Sequence, residues 1–292
     1  MIRPEDFDFL ASLLKARSGL IVGKDKSYLL DSRLTPLARK RGLRDLTGVV
    51  MALRNGRDES LVKDVVEAMT TNESFFFRDG KPFDDLAQVV LPCMMQARAS
   101  VKTLRIWCAA ASTGQEPYTI AMILAERAAM LAGWRVDIVA TDISDEVLER
   151  ARSGLYTQFE VQRGLPITLL VKYFKQQGDK WQLDAKIRSM VSYKRWNLLE
   201  NLSPLGAFDI VFCRNVLIYF DQPTKTAVLE RIARLMPNDG VLALGAAETV
   251  LGITDKFKPM PQQRGMYALN LAPPPVAAPA PIFPTPPIAK IA

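Results

Sequence analysis

An alternation of strand-like and helix-like segments runs from Lys102 to Leu271. This order is typical of a mostly parallel, doubly wound α/β sheet. The final segment, KFKPMPQQRGMYALNL, has hairpin character with no helix between its halves, so we expect it to add an antiparallel strand. Ligands of such sheets bind outside the carboxyl ends of the strands, where the strand order reverses. The strand-like runs before that hairpin are KTLRIWCAAAS, RVDIVATD, SMVSYKRWN, FDIVFCRN and GVLALGAAE.

Three helices between these strands have sequence signals for their ends. QEPYTIAMILAERAAMLAG predicts one long helix over residues 115–133. ISDEVLERARSG predicts a second helix, with Ser144 placed as its N-cap. DQPTKTAVLERIARLMPNDG predicts a third, with Asp221 as N-cap, Pro223 in its first turn and Gly240 just past its end.

Three other stretches depart from this alternation. Residues 1–71 contain no convincing strand and predict a small, basic helical domain. Residues 72–271 would form the α/β domain, and about 154–188 read as a small inserted β-subdomain because the segment is too long for a plain connection. Residues 272–292 are rich in Pro and Ala, cannot bury a core, and predict a disordered tail.

Composition excludes several classes of function. The chain has no histidine, which removes Ser-His-Asp and Cys-His catalysis and imidazole metal sites. The three cysteines, Cys93, Cys108 and Cys213, form no metal-ligand spacing, so we expect no metal. No apolar run has the ~20 residues needed to span a bilayer, and the N-terminus lacks a secretory signal. These features predict a cytoplasmic protein, and its net charge of +7 favours an acidic partner or a solvated basic face.

Polar residues follow three of the predicted strands. Glu116 opens the helix after the first strand, where an acid suits a cationic ligand better than a diphosphate but equally complements the helix dipole. Asp142 ends the second strand, where an acid is placed to bind ribose hydroxyls. Arg214 and Asn215 follow the strand FDIVFC and should face the same crevice, whereas Tyr219 reads from its apolar context as a packing aromatic.

The segment TTNESFFFRD joins the helical and α/β parts of the chain. Its three phenylalanines predict a buried linker that also carries Asn72, Ser74 and Arg78. A buried guanidinium needs a partner, so Arg78 should meet a carboxylate from the protein or from a substrate.

Together these segments resemble the chemotaxis receptor methyltransferase (CheR) family. The motifs that carry the resemblance are TTNESFFFRD, WCAAASTGQEPYTIAM, ATDIS, the NLL of RWNLLE and FDIVFCRNVLIYF, in that order, within residues 1–271. The resemblance implies a class I, Rossmann-like fold that binds S-adenosyl-L-methionine (SAM) and releases S-adenosyl-L-homocysteine (SAH). It implies a protein-glutamate O-methyltransferase that esterifies chemoreceptor glutamates for sensory adaptation.

The resemblance also implies roles for individual residues. Arg78 and Tyr219 are similar to the residues that orient the substrate carboxylate, and Arg33, Arg39 and Arg41 resemble the surface that meets the acidic methylation helices of chemoreceptors. The residues implied to surround SAM are Asn72, Ser74, Arg78, Glu116, Asp142, Asn197, Leu198, Arg214 and Asn215. Ser74 stands where the family often has Thr and keeps the hydroxyl.

The implied chemistry agrees with the missing histidine, because a glutamate with a pKa of ~4.3 is already ionised at neutral pH and needs no base. We expect a monomer with no nucleic-acid partner and no direct insertion into a membrane. The alternatives are a methyltransferase for another acceptor on the same fold and a SAM-binding signalling scaffold without activity. A nicotinamide-linked dehydrogenase is disfavoured because the first loop lacks GxGxxG.

Overall fold

The computed structural model describes residues 2–56 and 58–271. The residues predicted to form a disordered tail, 272–292, lie outside the described part of the chain. In that described part, no helix is both long enough and apolar enough to cross a membrane.

Four helices form the first part of the chain and enclose their own apolar core. Apolar side chains repeat at helical spacing, and Leu10, Leu14, Leu30, Leu34 and Val49 are fully buried among them. Asp45 and Asp58 cap the last two helices by accepting hydrogen bonds from backbone N–H groups in the first turn. The helices are α1 (Pro4–Ser18), α2 (Tyr28–Lys40), α3 (Leu46–Asn55) and α4 (Glu59–Met69).

A seven-stranded sheet forms the centre of the rest of the chain. Its order is β6-β2-β1-β7-β8-β10-β9; the first five strands are parallel, and β10 pairs antiparallel with both β8 and β9. The predicted doubly wound sheet with a terminal antiparallel hairpin is therefore confirmed. The strands are β1 (Thr103–Ala109), β2 (Arg135–Asp142), β6 (Val191–Arg195), β7 (Ile210–Cys213), β8 (Val241–Leu244), β9 (Phe257–Pro259) and β10 (Met266–Leu269).

Helices cover both faces of this sheet, and buried apolar side chains form one core on each face. The chain leaves β1 toward β2 on one side, whereas β7 lies on the other side of β1, so the strand order reverses between β1 and β7. The crevice at their carboxyl ends is the expected ligand position. The covering helices are α5 (Lys81–Asp85), a π-helical turn (Leu86–Val90), α6 (Leu91–Ala97), α7 (Gln115–Glu126), α8 (Asp145–Ser153) and α12 (Gln222–Ala233).

Two of the predicted helices are shorter than expected. The prediction of one helix over 115–133 is wrong, because α7 ends at Glu126 and the next residues form turns with i→i−3 hydrogen bonds such as Arg127 N–H to Leu124. Burial also stops there, so an amphipathic face no longer holds the helix. The third predicted helix, α12, begins after Asp221 as expected but ends at Ala233, well before Pro237 and Gly240.

A three-stranded antiparallel sheet occupies the segment between β2 and β6. Its order is β3-β5-β4, and its outer strands each pair with the central β5. Thr157 and Glu160 form a capping box at the start of the short helix beside β3. The elements are β3 (Leu155–Thr157), α9 (Gln158–Gln162), α10 (Ile167–Tyr173), β4 (Phe174–Gln177), β5 (Lys180–Leu183) and α11 (Ala185–Arg188).

The four N-terminal helices lie against the carboxyl end of the large sheet. The backbone N–H of Ile21 donates to the carbonyl of Tyr219 at 2.9 Å, and the Lys15 ammonium pairs with Asp221 at 2.6 Å. Lys63 in α4 pairs with Asp145 at the start of α8. Through these contacts the N-terminal helices cover the crevice at the carboxyl ends of β1 and β7.

Candidate functional site

A cavity lies at the carboxyl ends of β1, β2 and β7, under the N-terminal helices. It is lined by every residue that the resemblance places around SAM or the acceptor carboxylate, together with Trp196, Ala110 and Ser112. The structure therefore brings together residues that are up to 147 positions apart, from Asn72 to Tyr219. The lining residues from that set are Asn72, Ser74, Arg78, Glu116, Asp142, Asn197, Leu198, Arg214, Asn215 and Tyr219.

The loop after β1 approaches the cavity with its backbone. Ala110 and Ser112 have φ values of 60° and 50°, in the left-handed region that non-glycine residues seldom adopt. Two hydrogen bonds hold this conformation: Ser112 N–H donates to Asp142 Oδ2 at 2.8 Å, and Ser112 Oγ donates to the Asn72 carbonyl at 2.9 Å. The loop thus links the interdomain segment to the end of β2.

Asp142 lies at the end of β2 with its side chain buried. Its carboxylate accepts hydrogen bonds from the N–H of Ser112 and, at 3.1 Å, from the N–H of Ser144. Ser144 itself caps α8, as expected. Burial raises the pKa of the Asp142 carboxyl, and the backbone N–H donors oppose that rise. A carboxylate has about four lone-pair positions, so Asp142 retains capacity for ligand hydroxyls.

One buried arginine joins two carboxylates on the opposite side of the cavity. Arg214 donates to Glu116 Oε2 and to Asp79 Oδ2, each at 2.8 Å, and also to the carbonyl of Arg78. Burial raises the pKa of the Glu116 carboxyl, while the Arg214 charge acts in the opposite direction. Glu116 thereby places a carboxylate at the cavity wall, where it can attract a cationic ligand group.

Arg78 was expected to be a buried guanidinium that meets a carboxylate from the protein or from a substrate. It is half-buried, because it lies at the cavity wall rather than inside the linker. Its Nη1 donates to the Glu73 carbonyl at 2.8 Å, and its guanidinium lies 5.3 Å from the centre of the Phe75 ring. Within residues 2–56 and 58–271, no side-chain carboxylate forms an ion pair with Arg78.

The residues expected near the adenosine follow β6. The Asn197 side chain is held by the protein, since Nδ2 donates to the Arg17 carbonyl at 2.8 Å and Oδ1 accepts from Leu199 N–H at 3.0 Å. Leu198 is buried and offers apolar surface. Trp196 was not expected here, yet its buried indole N–H has no hydrogen-bond partner among the described residues and its side chain lines the cavity.

The three arginines predicted to meet the receptor lie in or just after α2. They differ in whether the protein itself already binds their guanidinium groups. Arg33 donates to the carbonyls of Met69 and Thr70 at 2.7 and 2.9 Å, so its guanidinium completes the end of α4. Arg41 pairs with Asp64 at 2.7 Å. Arg39 is exposed, and no hydrogen bond or ion pair engages its side chain in the described structure.

Sequence reasoning missed three residues of this region: Asp79, Trp196 and Glu248. Glu248 shortly follows β8, so the rule that singled out Asp142, an acid after the carboxyl end of a strand, could have found it. Asp79 carried no such signal, because its role depends on a left-handed turn (φ 69°) that brings it to Arg214.

The chemistry of these donors fits SAM. The Glu116 carboxylate suits its ammonium and sulfonium groups, the Asp142 carboxylate suits ribose hydroxyls, and the side chains of Trp196 and Leu198 offer apolar surface to adenine. No group of three or more His, Cys, Asp or Glu in the described residues could hold a metal ion. The Cys108 and Cys213 thiols are buried in β1 and β7, and burial raises their pKa well above the usual value.

Known proteins match this chain over most of its length. Residues 72–266 match the family described as CheR methyltransferase, SAM binding domain, and residues 5–70 match CheR methyltransferase, all-alpha domain. Chemotaxis protein methyltransferase 1 of Vibrio cholerae is 39% identical over 262 residues, which cover 88% of this chain and 94% of that protein. Chemotaxis protein methyltransferase 1 of Pseudomonas aeruginosa is 40% identical over 259 residues (87% and 93%). Chemotaxis protein methyltransferase of Borreliella burgdorferi is 33% identical over 256 residues (86% and 90%).

Proposed function

The chain belongs to the CheR methyltransferase family, whose function is SAM-dependent methyl transfer in chemotaxis, and we propose that its acceptors are glutamate side chains of chemoreceptors. The product would be a glutamate methyl ester, formed in the cytoplasm on the methylation helices of the receptor. The enzyme would work as a monomer and without a metal.

The observation that carries this proposal is the guanidinium of Arg78, which lines the cavity without a protein carboxylate as partner in the described structure. Arg163 gives the contrast, because it lies 4.2 Å from the same Phe75 ring but pairs with Glu73 at 2.6 Å. A half-buried arginine with a free positive charge is suited to bind an incoming carboxylate through charge-assisted hydrogen bonds.

The residues around the cavity then divide into two groups. Asp142, Glu116 and Trp196 would hold SAM, with Asn72, Ser74, Leu198 and Asn215 along its length. SAM, when bound, supplies a methyl group on a positively charged sulfur. Arg78 and Tyr219, which both line the cavity, would orient the acceptor carboxylate, Arg78 through its charge.

No general base is needed in this arrangement. A glutamate with a pKa of ~4.3 is ionised at neutral pH, so the attacking oxygen carries no proton to remove. The chain has no histidine, and two acids that line the cavity are already engaged: Glu116 by Arg214, and Asp142 by the N–H groups of Ser112 and Ser144. The chain's contribution is therefore positioning and electrostatic stabilisation.

Arg78→Ala tests the proposal against Arg163→Ala as a matched control, because each change removes one guanidinium from the same Phe75 ring. If Arg78 binds the acceptor through a charge-assisted bond worth about 1.5–3 kcal/mol, kcat/KM for a chemoreceptor fragment falls by at least ~10-fold. Arg163→Ala should leave kcat/KM within about 3-fold of the wild type, which is the scatter expected of a surface change. Equal losses in the two variants, or wild-type activity of Arg78→Ala, would contradict the role of Arg78.

A further inference from the structure

The Glu248 carboxylate is enclosed by backbone N–H groups. Its residue is 9% exposed and follows β8, where it faces the loop after β7. Oε2 accepts hydrogen bonds from the N–H groups of Asn215 and Gly245, both at 2.7 Å. Oε1 accepts from the N–H groups of Val216, Leu217 and Ile218, at 2.9, 2.7 and 3.3 Å. Five backbone donors thus converge on one side chain.

These hydrogen bonds hold the loop that carries part of the site. Arg214 and Asn215 stand at its start and Tyr219 at its end, and all three line the cavity. Asn215 has a φ of 58°, a left-handed conformation that needs surrounding contacts to persist. The four consecutive N–H groups from Asn215 to Ile218 all donate to Glu248. The conformation of the loop therefore depends on a side chain about 30 residues farther along the chain.

We propose that Glu248 is a positioning residue for methyl transfer, which acts by fixing the loop so that Tyr219 faces the acceptor. The expected change in kcat rests on the proposed function, whereas the expected change in the conformation of the loop does not. Arg214 is held separately, by Glu116 and Asp79, so loss of Glu248 should disturb the acceptor side of the cavity more than the SAM side.

The charge of Glu248 matters as well as its shape. A glutamine has one oxygen and one NH₂ group, and the NH₂ group would face N–H donors in either orientation. Glu248→Gln therefore loses at least the two bonds now made by Oε2. Glu248→Asp keeps both oxygens and the charge on a side chain one methylene shorter, so it should retain part of the function.

Gly245 offers an independent perturbation of the same contact. A Cβ atom at Gly245 would lie 2.7 Å from Asn215 Nδ2 and 2.8 Å from Glu248 Oε2, closer than real Cβ atoms approach such groups. Gly245→Ala should therefore displace the Glu248 carboxylate and the Asn215 side chain away from Gly245 without removing a charge.

The experiment compares four variants with the wild type: Glu248→Gln, Glu248→Asp, Gly245→Ala and Asp209→Asn. Asp209 is the matched control. Its carboxylate also accepts hydrogen bonds, from the backbone N–H of Arg105 and from the Arg98 side chain, but it lies at the opposite, amino end of β7. Hydrogen exchange of residues 214–220, SAH affinity by calorimetry, and kcat with a chemoreceptor fragment are measured for each.

We expect Glu248→Gln to speed exchange of the Asn215–Ile218 amides by at least ~10-fold and to lower kcat by at least ~10-fold, since each decade corresponds to about 1.4 kcal/mol. Its SAH affinity should stay within about 5-fold of the wild type, which corresponds to about 1 kcal/mol. Gly245→Ala should show the same pattern, Glu248→Asp an intermediate one, and Asp209→Asn none of it.

Unchanged exchange and kcat in both Glu248→Gln and Gly245→Ala would overturn the inference. A uniform loss of SAH affinity, kcat and exchange protection, equal to that of Asp209→Asn, would also overturn it, because it indicates general destabilisation. If the wild type transfers no methyl group to receptor fragments, the proposed function fails. The local exchange pattern then still decides whether Glu248 holds the loop.

Discussion

Replacing Arg214 by methionine should destabilise the folded protein by about 3–5 kcal/mol at neutral pH, because it removes the cation from a buried ion pair and leaves the carboxylate. The Arg214 side chain is 1% exposed and that of Glu116 13%, so little water can replace the lost partner. Methionine is unbranched and apolar, so it fills much of the space left by the arginine.

The loss should depend on pH in a direction that follows from the pKa of Glu116. Burial raises this pKa and Arg214 opposes the rise, so the pKa rises further without Arg214. A carboxyl with a raised pKa in the folded state stabilises folding below its unfolded pKa of ~4.3, and this contribution is lost as pH rises through the folded pKa. The deficit of Arg214→Met should therefore be largest near pH ~8 and smaller near pH ~5.5.

The free energy of unfolding is measured in urea without ligand at both pH values. Glu116→Gln and the double variant Arg214→Met/Glu116→Gln complete a double-mutant cycle. The double variant should recover at least ~1.5 kcal/mol of the deficit, because no buried charge then lacks a partner. Arg17→Met is the control: its ion pair with Glu59 is exposed, so its loss should cost less than ~1 kcal/mol. A deficit for Arg214→Met below ~1 kcal/mol, or one equal at both pH values, would refute the reasoning.

Four further variants test the SAM site, the receptor-facing surface and the end of α4. Asp142→Asn should weaken SAH binding by about 10-fold or more in calorimetry, since it removes a charge-assisted acceptor worth about 1.5–3 kcal/mol. Unchanged affinity would show that Asp142 does not bind the ligand. Arg39→Glu should raise KM for an acidic receptor fragment several-fold and make that KM less dependent on salt, without altering stability, because one attractive charge is lost. Arg33→Ala should instead cost about 1–3 kcal/mol of stability, because two carbonyls lose their donor. Tyr219→Phe should lower kcat/KM about 5-fold, the equivalent of one hydrogen bond of ~1 kcal/mol, with SAH affinity unchanged; a matching loss of SAH affinity would place Tyr219 on the SAM side.

Strand alternation was a sound guide to the fold, because the parallel strands are buried on both faces and their apolar runs stand out. The helical segments between Lys81 and Ala97 gave no comparable signal: Pro82 and Pro92 interrupt the pattern, and a π-helical turn shifts its period. The end of α7 was missed because AERAAMLAG has good helix formers, whereas burial stops near Leu124.

Residues of the site divide in the same way. Asp142 and Arg214 were predictable because they follow strands at the edge where ligands bind. The unpaired indole N–H of Trp196 and the donors around Glu248 depend on where distant loops meet, which no local pattern records. The resemblance named Tyr219, but only the structure shows which side chain holds its loop.

The chemical stability of the product tests the central claim most directly. The wild-type protein is incubated with methyl-labelled SAM and a chemoreceptor cytoplasmic fragment, and the labelled fragment is then treated with mild base. The account predicts that the label leaves as volatile methanol, because a glutamate methyl ester hydrolyses under these conditions. Label that stays on the fragment after base would contradict it, since the methyl group would then sit on an acceptor atom other than a carboxylate oxygen.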